Sequence, residues 1–128
     1  MTGTLQESGN LSVGKCGEEI AVNYLKGCKF KILERNFRCR CGEVDIIARE
    51  GKTFVFIEVK TRRNDSYGPP QLSVTQFKQR QISKAALLYM SSKKIENEPA
   101  RFDVIAICLS GQEKPLIDHI KNAFDLTY

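Results

Sequence analysis

At 128 residues, 41% hydrophobic and 27% charged, the chain is long enough to bury a core as one globular domain without disulfides or a structural metal. No apolar run approaches the roughly 20 residues that cross a bilayer, and residues 1–14 lack a signal peptide's basic-then-apolar pattern, so a cytoplasmic protein with no membrane partner is expected. Lys and Arg total 20 against 15 Asp and Glu, a net charge of +5 that suits a polyanionic partner such as nucleic acid without requiring one.

Residues 1–12 are polar and aperiodic and are expected to form a flexible start before a single domain over 13–128. The spacing predicts a helix over 13–26, stopped by Gly27 with Lys26 in its last turn. At about 100° per residue Cys16, Ile20, Ala21, Tyr24 and Leu25 gather on one side. Glu18 lies at the margin of that face, whereas Glu19 points away with Asn23 and Lys26.

Three strands are predicted next, over 30–37, 42–49 and 53–61. The third is a near-continuous run of β-branched and aromatic residues, as a strand covered on both faces should be. Gly51-Lys52 reads as a tight hairpin between the last two. Residues 62–72 form a turn-rich loop with Gly68, Pro69 and Pro70. Ser73-Val-Thr-Gln76 matches a capping box that opens a helix to about Ser92, with Phe77, Ile82, Ala85, Ala86 and Tyr89 toward the core. A buried strand over 101–109 follows, and a last short element carries Leu116, Ile117, Ile120 and Phe124. This order indicates an α/β sandwich with a mixed sheet.

Cys16, Cys28 and Cys108 fall at apolar positions and are expected to be buried thiols. Cys39-Arg-Cys41 lacks the ligand spacing of a zinc site, and its role stays open. His119, the only histidine, is read as a tail-packing or solvent-facing residue and not a catalytic one, and Arg101-Phe102-Asp103 as a structural ion pair and core anchor.

A two-residue Gly51-Lys52 loop places Asp45 directly opposite Glu58 and Glu43 opposite Lys60. Two carboxylates facing each other across a sheet repel, and apolar flanks screen them weakly. A hard divalent cation would resolve that conflict, since Mg²⁺ is held by one or two carboxylates together with waters and phosphate oxygens. The alternative leaves both acids at strand ends in water, with Lys60 neutralising them.

Glu18-x-x-Ala21, Asn36-Phe37-Arg38, Gly42-Glu43-Val44-Asp45, Glu58-Val59-Lys60, Lys78-Gln79 and Arg101-Phe102-Asp103, in this order, resemble the YraN-like proteins. These are small bacterial proteins predicted to be endonucleases of the PD-(D/E)XK superfamily and related to archaeal Holliday-junction resolvases. The resemblance covers about residues 12–125. It implies a restriction-endonuclease-like three-layer sandwich, a mixed central sheet flanked by helices. It also implies Mg²⁺ or Mn²⁺ as cofactor, with Asp45, Glu58 and Glu18 as ligands and Lys60 orienting the attacking water. Glu43 would stand behind the ligands or simply pair with Lys60.

Arg38, Arg40, Arg62, Arg63, Lys78, Gln79, Arg80 and Lys84 would contact phosphates. Hydrolysis of phosphodiester bonds is the expected activity, on DNA in preference to RNA, with branched or single-stranded substrates and a homodimer left open. A nucleic-acid-binding module that keeps the fold without catalysis is the competing expectation.

Overall fold

The structure, a computed structural model, describes residues 9–63, 68–109 and 114–127. Helix α1 spans Gly9–Gly27, strands β1, β2 and β3 span Lys31–Cys39, Gly42–Glu50 and Thr53–Arg62, and helix α2 spans Gln76–Ser92. Strands β4, Ala100–Cys108, and β5, Leu116–Phe124, complete a five-stranded sheet in the spatial order β1-β2-β3-β4-β5. The β3–β4 pair is parallel and the other pairs are antiparallel, so α2 is the crossover that the parallel pair requires.

The two helices cover opposite faces. Ala21, Val22 and Leu25 of α1 pack with Phe30, Ile46, Ala48, Val55, Ile57, Ile105 and Ile107. Ile82, Ala85, Ala86, Tyr89 and Met90 of α2 pack with Val44, Ile47, Phe56, Phe102 and Val104 on the other side. The alternation along β3 explains the split, because successive side chains of an apolar strand serve successive layers. Each fully buried Leu, Ile or Phe contributes about 1.5–3 kcal/mol. The result is a mixed α/β sheet with a helix layer on each side. Among the described residues no helix is long and apolar enough to cross a membrane.

Several boundaries and faces differ from the sequence reading. Helix α1 begins at Gly9, inside the stretch expected to be a flexible start, while residues 1–8, and 64–67 of the turn-rich loop, lie outside the described residues. Its end is turned by Lys29, which takes the left-handed φ of 70°, and not by Gly27.

Helix α2 is capped by Thr75, whose side chain accepts from the Lys78 N–H at 3.1 Å. Ser73 instead closes a 3-10 turn over Pro70–Ser73, its hydroxyl donating to the Pro70 carbonyl at 2.7 Å. Phe77 lies roughly 130° around α2 from the buried Ile82, Ala85, Ala86 and Tyr89, so it turns outward, 64% exposed, instead of into the core. Cys16 and Cys28 are exposed and Cys108 is half-buried, because Ala21, Val22 and Leu25 are the side chains that α1 presents to the sheet. The last element is a nine-residue edge strand.

One part-buried network ties four elements together on the α1 side, α1, β2, β4 and β5. Arg101 Nε and Nη2 donate to Asp103 at 2.9 and 3.2 Å, and Nη2 also reaches Glu50 Oε1 at 2.7 Å. His119 Nε2 lies 2.8 Å from Asp103 Oδ2, and the Asn122 N–H donates to Oδ1 at 3.0 Å. An ionised carboxylate only accepts, so Nε2 carries the proton; in neutral His119, Nδ1 then accepts from the Tyr24 hydroxyl at 3.1 Å. The structural ion pair and tail-packing histidine read from the sequence are both here.

Candidate active site

The Gly51-Lys52 hairpin folds in the expected register, with Glu50 opposite Thr53, Arg49 opposite Phe54 and so on to Ile46 opposite Ile57. There the β2–β3 ladder stops, and Asp45 and Glu58 are not a backbone pair as the sequence reading had them. Val44 packs on the α2 side and Ile46 on the α1 side, so the alternation of β2 slips by one at Asp45. The neighbouring strand slips with it. Arg35 faces Ile46 and Phe37 faces Val44, and between them Asn36 takes a left-handed φ of 54°, which asparagine tolerates better than most residues.

The Asp45 side chain thereby takes the place of a ladder rung, and its Oδ2 accepts the Val59 N–H at 2.8 Å. The outer half of the β1–β2 hairpin then comes down on α2. Gly42, at φ 153°, sits so close to Gln81 that an added Cβ would come within 2.9 Å of its Cβ.

Glu58 is the central group. Only 5% exposed, it faces Lys60 Nζ at 3.6 Å and Lys78 Nζ of α2 at 3.8 Å, both through Oε2. Its Oε1 is buried without a hydrogen-bond partner. Burial pushes the Glu58 carboxyl above the ordinary glutamate value, and Lys78 and Lys60 pull it back only in part. Asp45 is pushed up to about 7, first by burial and then by the Glu58 charge, although the Val59 N–H favours its ionised form. The acid–acid conflict expected across the hairpin therefore exists, in a bent geometry.

Glu18 comes from the other helix. Gly17 lies against β3 so tightly that a Cβ there would collide with the Thr61 hydroxyl. This contact sets Glu18 near Asp45, whose carboxyl its charge helps to raise. Glu19 points away and pairs with Arg35 at 3.2 Å. Glu43 does not meet Lys60 as the simple register predicted; it pairs with Arg38 at 3.3 Å, though its charge still acts on Glu58. Among the described residues no three His, Cys, Asp or Glu side chains gather as a ready-made metal cluster. A buried carboxylate oxygen without a partner, next to a second acid with a raised pKa, nonetheless fits a divalent cation completed by water and phosphate oxygens.

The expected phosphate-contacting residues divide. Lys78 joins the cluster itself. Arg38, Arg40, Arg63 and Lys84 are exposed, and Arg80 is half-buried on α2. Gln79 donates to the Val74 carbonyl at 3.0 Å and Arg62 to the Gly68 carbonyl at 2.9 Å, so both brace the loop before α2. Sequence reasoning missed the bend at Asn36 and Asp45 and the closeness of Gly17 to Thr61. An Asn ahead of an otherwise apolar strand position, and a Gly inside a helix beside an acid, were the available signals.

The fold and cluster define an α/β domain with two neighbouring acids, Glu58 buried and Asp45 half-buried, faced by two lysines. A profile described as "Uncharacterised protein family UPF0102" matches residues 17–107, and the chain belongs to that family. These are the YraN-like proteins that the motifs resemble. The UPF0102 proteins of Geotalea uraniireducens and Geotalea daltonii are 65% and 62% identical over 119 residues, spanning 93% of this chain and 94% of each relative. That of Caldicellulosiruptor saccharolyticus is 47% identical over 113 residues, spanning 88% of this chain and 96% of the relative.

Proposed function

We propose that the chain is a metal-dependent nuclease of the PD-(D/E)XK type, hydrolysing phosphodiester bonds in nucleic acid, with DNA as the favoured substrate. The observation that carries the reading is the buried, unpartnered Glu58 Oε1 beside Asp45. Leaving such an oxygen unsatisfied costs about 1–3 kcal/mol or more, a cost that a bound cation removes. Asp45 and Glu58 would hold Mg²⁺ or Mn²⁺, with Glu18 reaching in from α1. When bound, the cation supplies Lewis-acid activation of water and of the phosphate.

The residues around it have separable tasks. The Val59 N–H fixes the Asp45 carboxylate in direction. Lys60, 3.6 Å from Glu58, orients the attacking water and balances charge developing on the phosphate. Lys78, 3.8 Å from the same oxygen, would hold a phosphate oxygen from the α2 side. Acids for a cation and lysines for an anion in one cleft suit phosphoryl chemistry better than either charge alone.

A second reading, a nucleic-acid-binding module without catalysis, is favoured by one feature: Lys60 and Lys78 already neutralise Glu58 without a cation. A cleavage panel of branched, single-stranded, duplex and RNA substrates with Mg²⁺ or Mn²⁺ separates the two. Metal-dependent cleavage that Glu58→Gln abolishes supports the nuclease. Salt-sensitive binding without cleavage of any substrate supports the module.

A further inference from the structure

Phe77 is a large aromatic side chain left in water beside the cleft, 64% exposed on the outer surface of α2. Its position follows from helical geometry, roughly 130° around α2 from the buried Ile82, Ala85, Ala86 and Tyr89. At about 100° per residue Lys84 and Leu88 lie along the same line as Phe77, and Arg80 stands one turn on. The face therefore carries an exposed ring and an exposed Leu88 together with two cations, an arrangement suited to a ligand that is aromatic and anionic at once. The next residue, Lys78, points the other way, with its Nζ 3.8 Å from Glu58 Oε2. Consecutive Cα atoms are about 3.8 Å apart, so the ring is rooted beside the residue that enters the acid–lysine cluster.

We infer that Phe77 stacks on an unpaired base of the strand whose phosphate lies at the Glu58–Lys78 cleft, so that the substrate is single-stranded or locally unpaired nucleic acid. This rests on the proposed nuclease reading and narrows its substrate class. In a duplex both faces of each base are covered by its neighbours, and a surface ring gains little from them. An unpaired base offers a free π-face, and its own phosphates meet Arg80 and Lys84. A second copy of this chain would bring the same cations against themselves, which disfavours self-association through this face.

The chain contains no tryptophan, so Phe77→Trp supplies a single fluorescent reporter at the ring position. Binding of a fluorescent single-stranded oligonucleotide and of the matching duplex is measured with Ca²⁺ in place of Mg²⁺, for the parent, Phe77→Ala, Phe77→Leu and Phe77→Trp. Phe77→Ala and Phe77→Leu should each weaken single-strand binding about 5- to 100-fold while changing duplex binding less than about 2-fold. Phe77→Trp should retain affinity, and its emission should be quenched by the single strand.

Parent-like single-strand binding by Phe77→Ala, equal losses for both ligands, or an unquenched tryptophan would each overturn the inference while leaving the nuclease reading standing. A parent that binds and cleaves no nucleic acid would remove both. A change in sedimentation of Phe77→Ala without a change in binding would make the face a self-association surface instead.

Discussion

Asp103 on β4 and Glu58 on β3 are both buried acids of the same sheet, one in each helix-covered layer. Asp103 is wholly buried and fully used: Arg101, His119 and the Asn122 N–H saturate both its oxygens. Burial alone would raise its carboxyl, yet those hydrogen bonds together hold it below the ordinary aspartate value. Glu58 has two lysines on one oxygen and nothing on the other, and its carboxyl lies above the ordinary glutamate value. An acid whose partners are complete holds the fold together. An acid that is short of partners is poised for a ligand that the chain does not supply.

The largest effect should come from the saturated acid. Asp103→Ala would leave the half-buried Arg101 with Glu50 alone, take the acceptor from the buried His119 side chain and remove the anchor of β5, at a cost of about 3–5 kcal/mol in urea unfolding. The pH dependence has a definite sign. A carboxyl held lower in the fold than in the unfolded chain stabilises above its unfolded value of 3.8, and that contribution disappears as pH falls through the lower folded value. The parent should therefore lose stability below about pH 4 more steeply than the variant. A loss smaller than about 1 kcal/mol would break the contrast between the two acids.

Next comes the unsaturated side. Lys60→Ala should lower cleavage by about 10²–10³-fold while changing stability by less than about 1 kcal/mol, because the lysine acts on the reacting groups. Mn²⁺ titration of this variant should give an affinity within several-fold of the parent's, since ammonium is no metal ligand. Full activity in Lys60→Ala would leave the cluster as a charge-balanced surface cleft. Gly17→Ala tests the approach from α1. Its new methyl must displace Thr61, costing about 1–3 kcal/mol, and should shift Glu18 away from Asp45. A variant as stable as the parent would mean that α1 slides freely on β3.

Much of this was legible before the structure, for identifiable reasons. The hairpin register followed from the two-residue turn and the apolar alternation of β2 and β3, and it holds from Glu50–Thr53 to Ile46–Ile57. It failed at Asp45 because a coupled slip at Asn36 and Asp45 depends on two strands at once, and periodicity along either strand cannot report it. Phe77 was misassigned because it lies roughly 130° around α2 from Ile82, Ala85, Ala86 and Tyr89, which are buried as expected, so the helical period itself puts it on the outer face. The Lys78–Glu58 contact crosses from α2 to β3 and needs the packed layers to be seen. Arg101 and Asp103 were readable as a pair because they lie two apart on one strand, on the same face.

The smallest expected effect is also the one that separates the two acids without any substrate. In metal-free protein the Asp45 carboxyl is raised to about 7, so its ionisation opposes folding. For an acid raised in the fold, stability is complete below the unfolded value of 3.8 and is lost as pH rises through about 7. Asp45→Asn keeps an oxygen to accept the Val59 N–H but cannot ionise, so its stability should not carry that loss. Near pH 8 without metal the variant should equal the parent or exceed it by about 1 kcal/mol, and near pH 5 the advantage should shrink.

Millimolar Mn²⁺ or Mg²⁺ should reverse the order. A ligand that binds only the folded parent stabilises it by about 2.7 kcal/mol at 100 times its Kd, and the variant should lose most of that gain. Thermal melts at both pH values, in EDTA and then with metal, read all four conditions. A variant strongly destabilised in EDTA at pH 8 would show that the Val59 N–H bond needs the full carboxylate charge, making Asp45 an acid of the same kind as Asp103. A parent indifferent to both metals would assign the unpartnered Glu58 oxygen to something other than a cation.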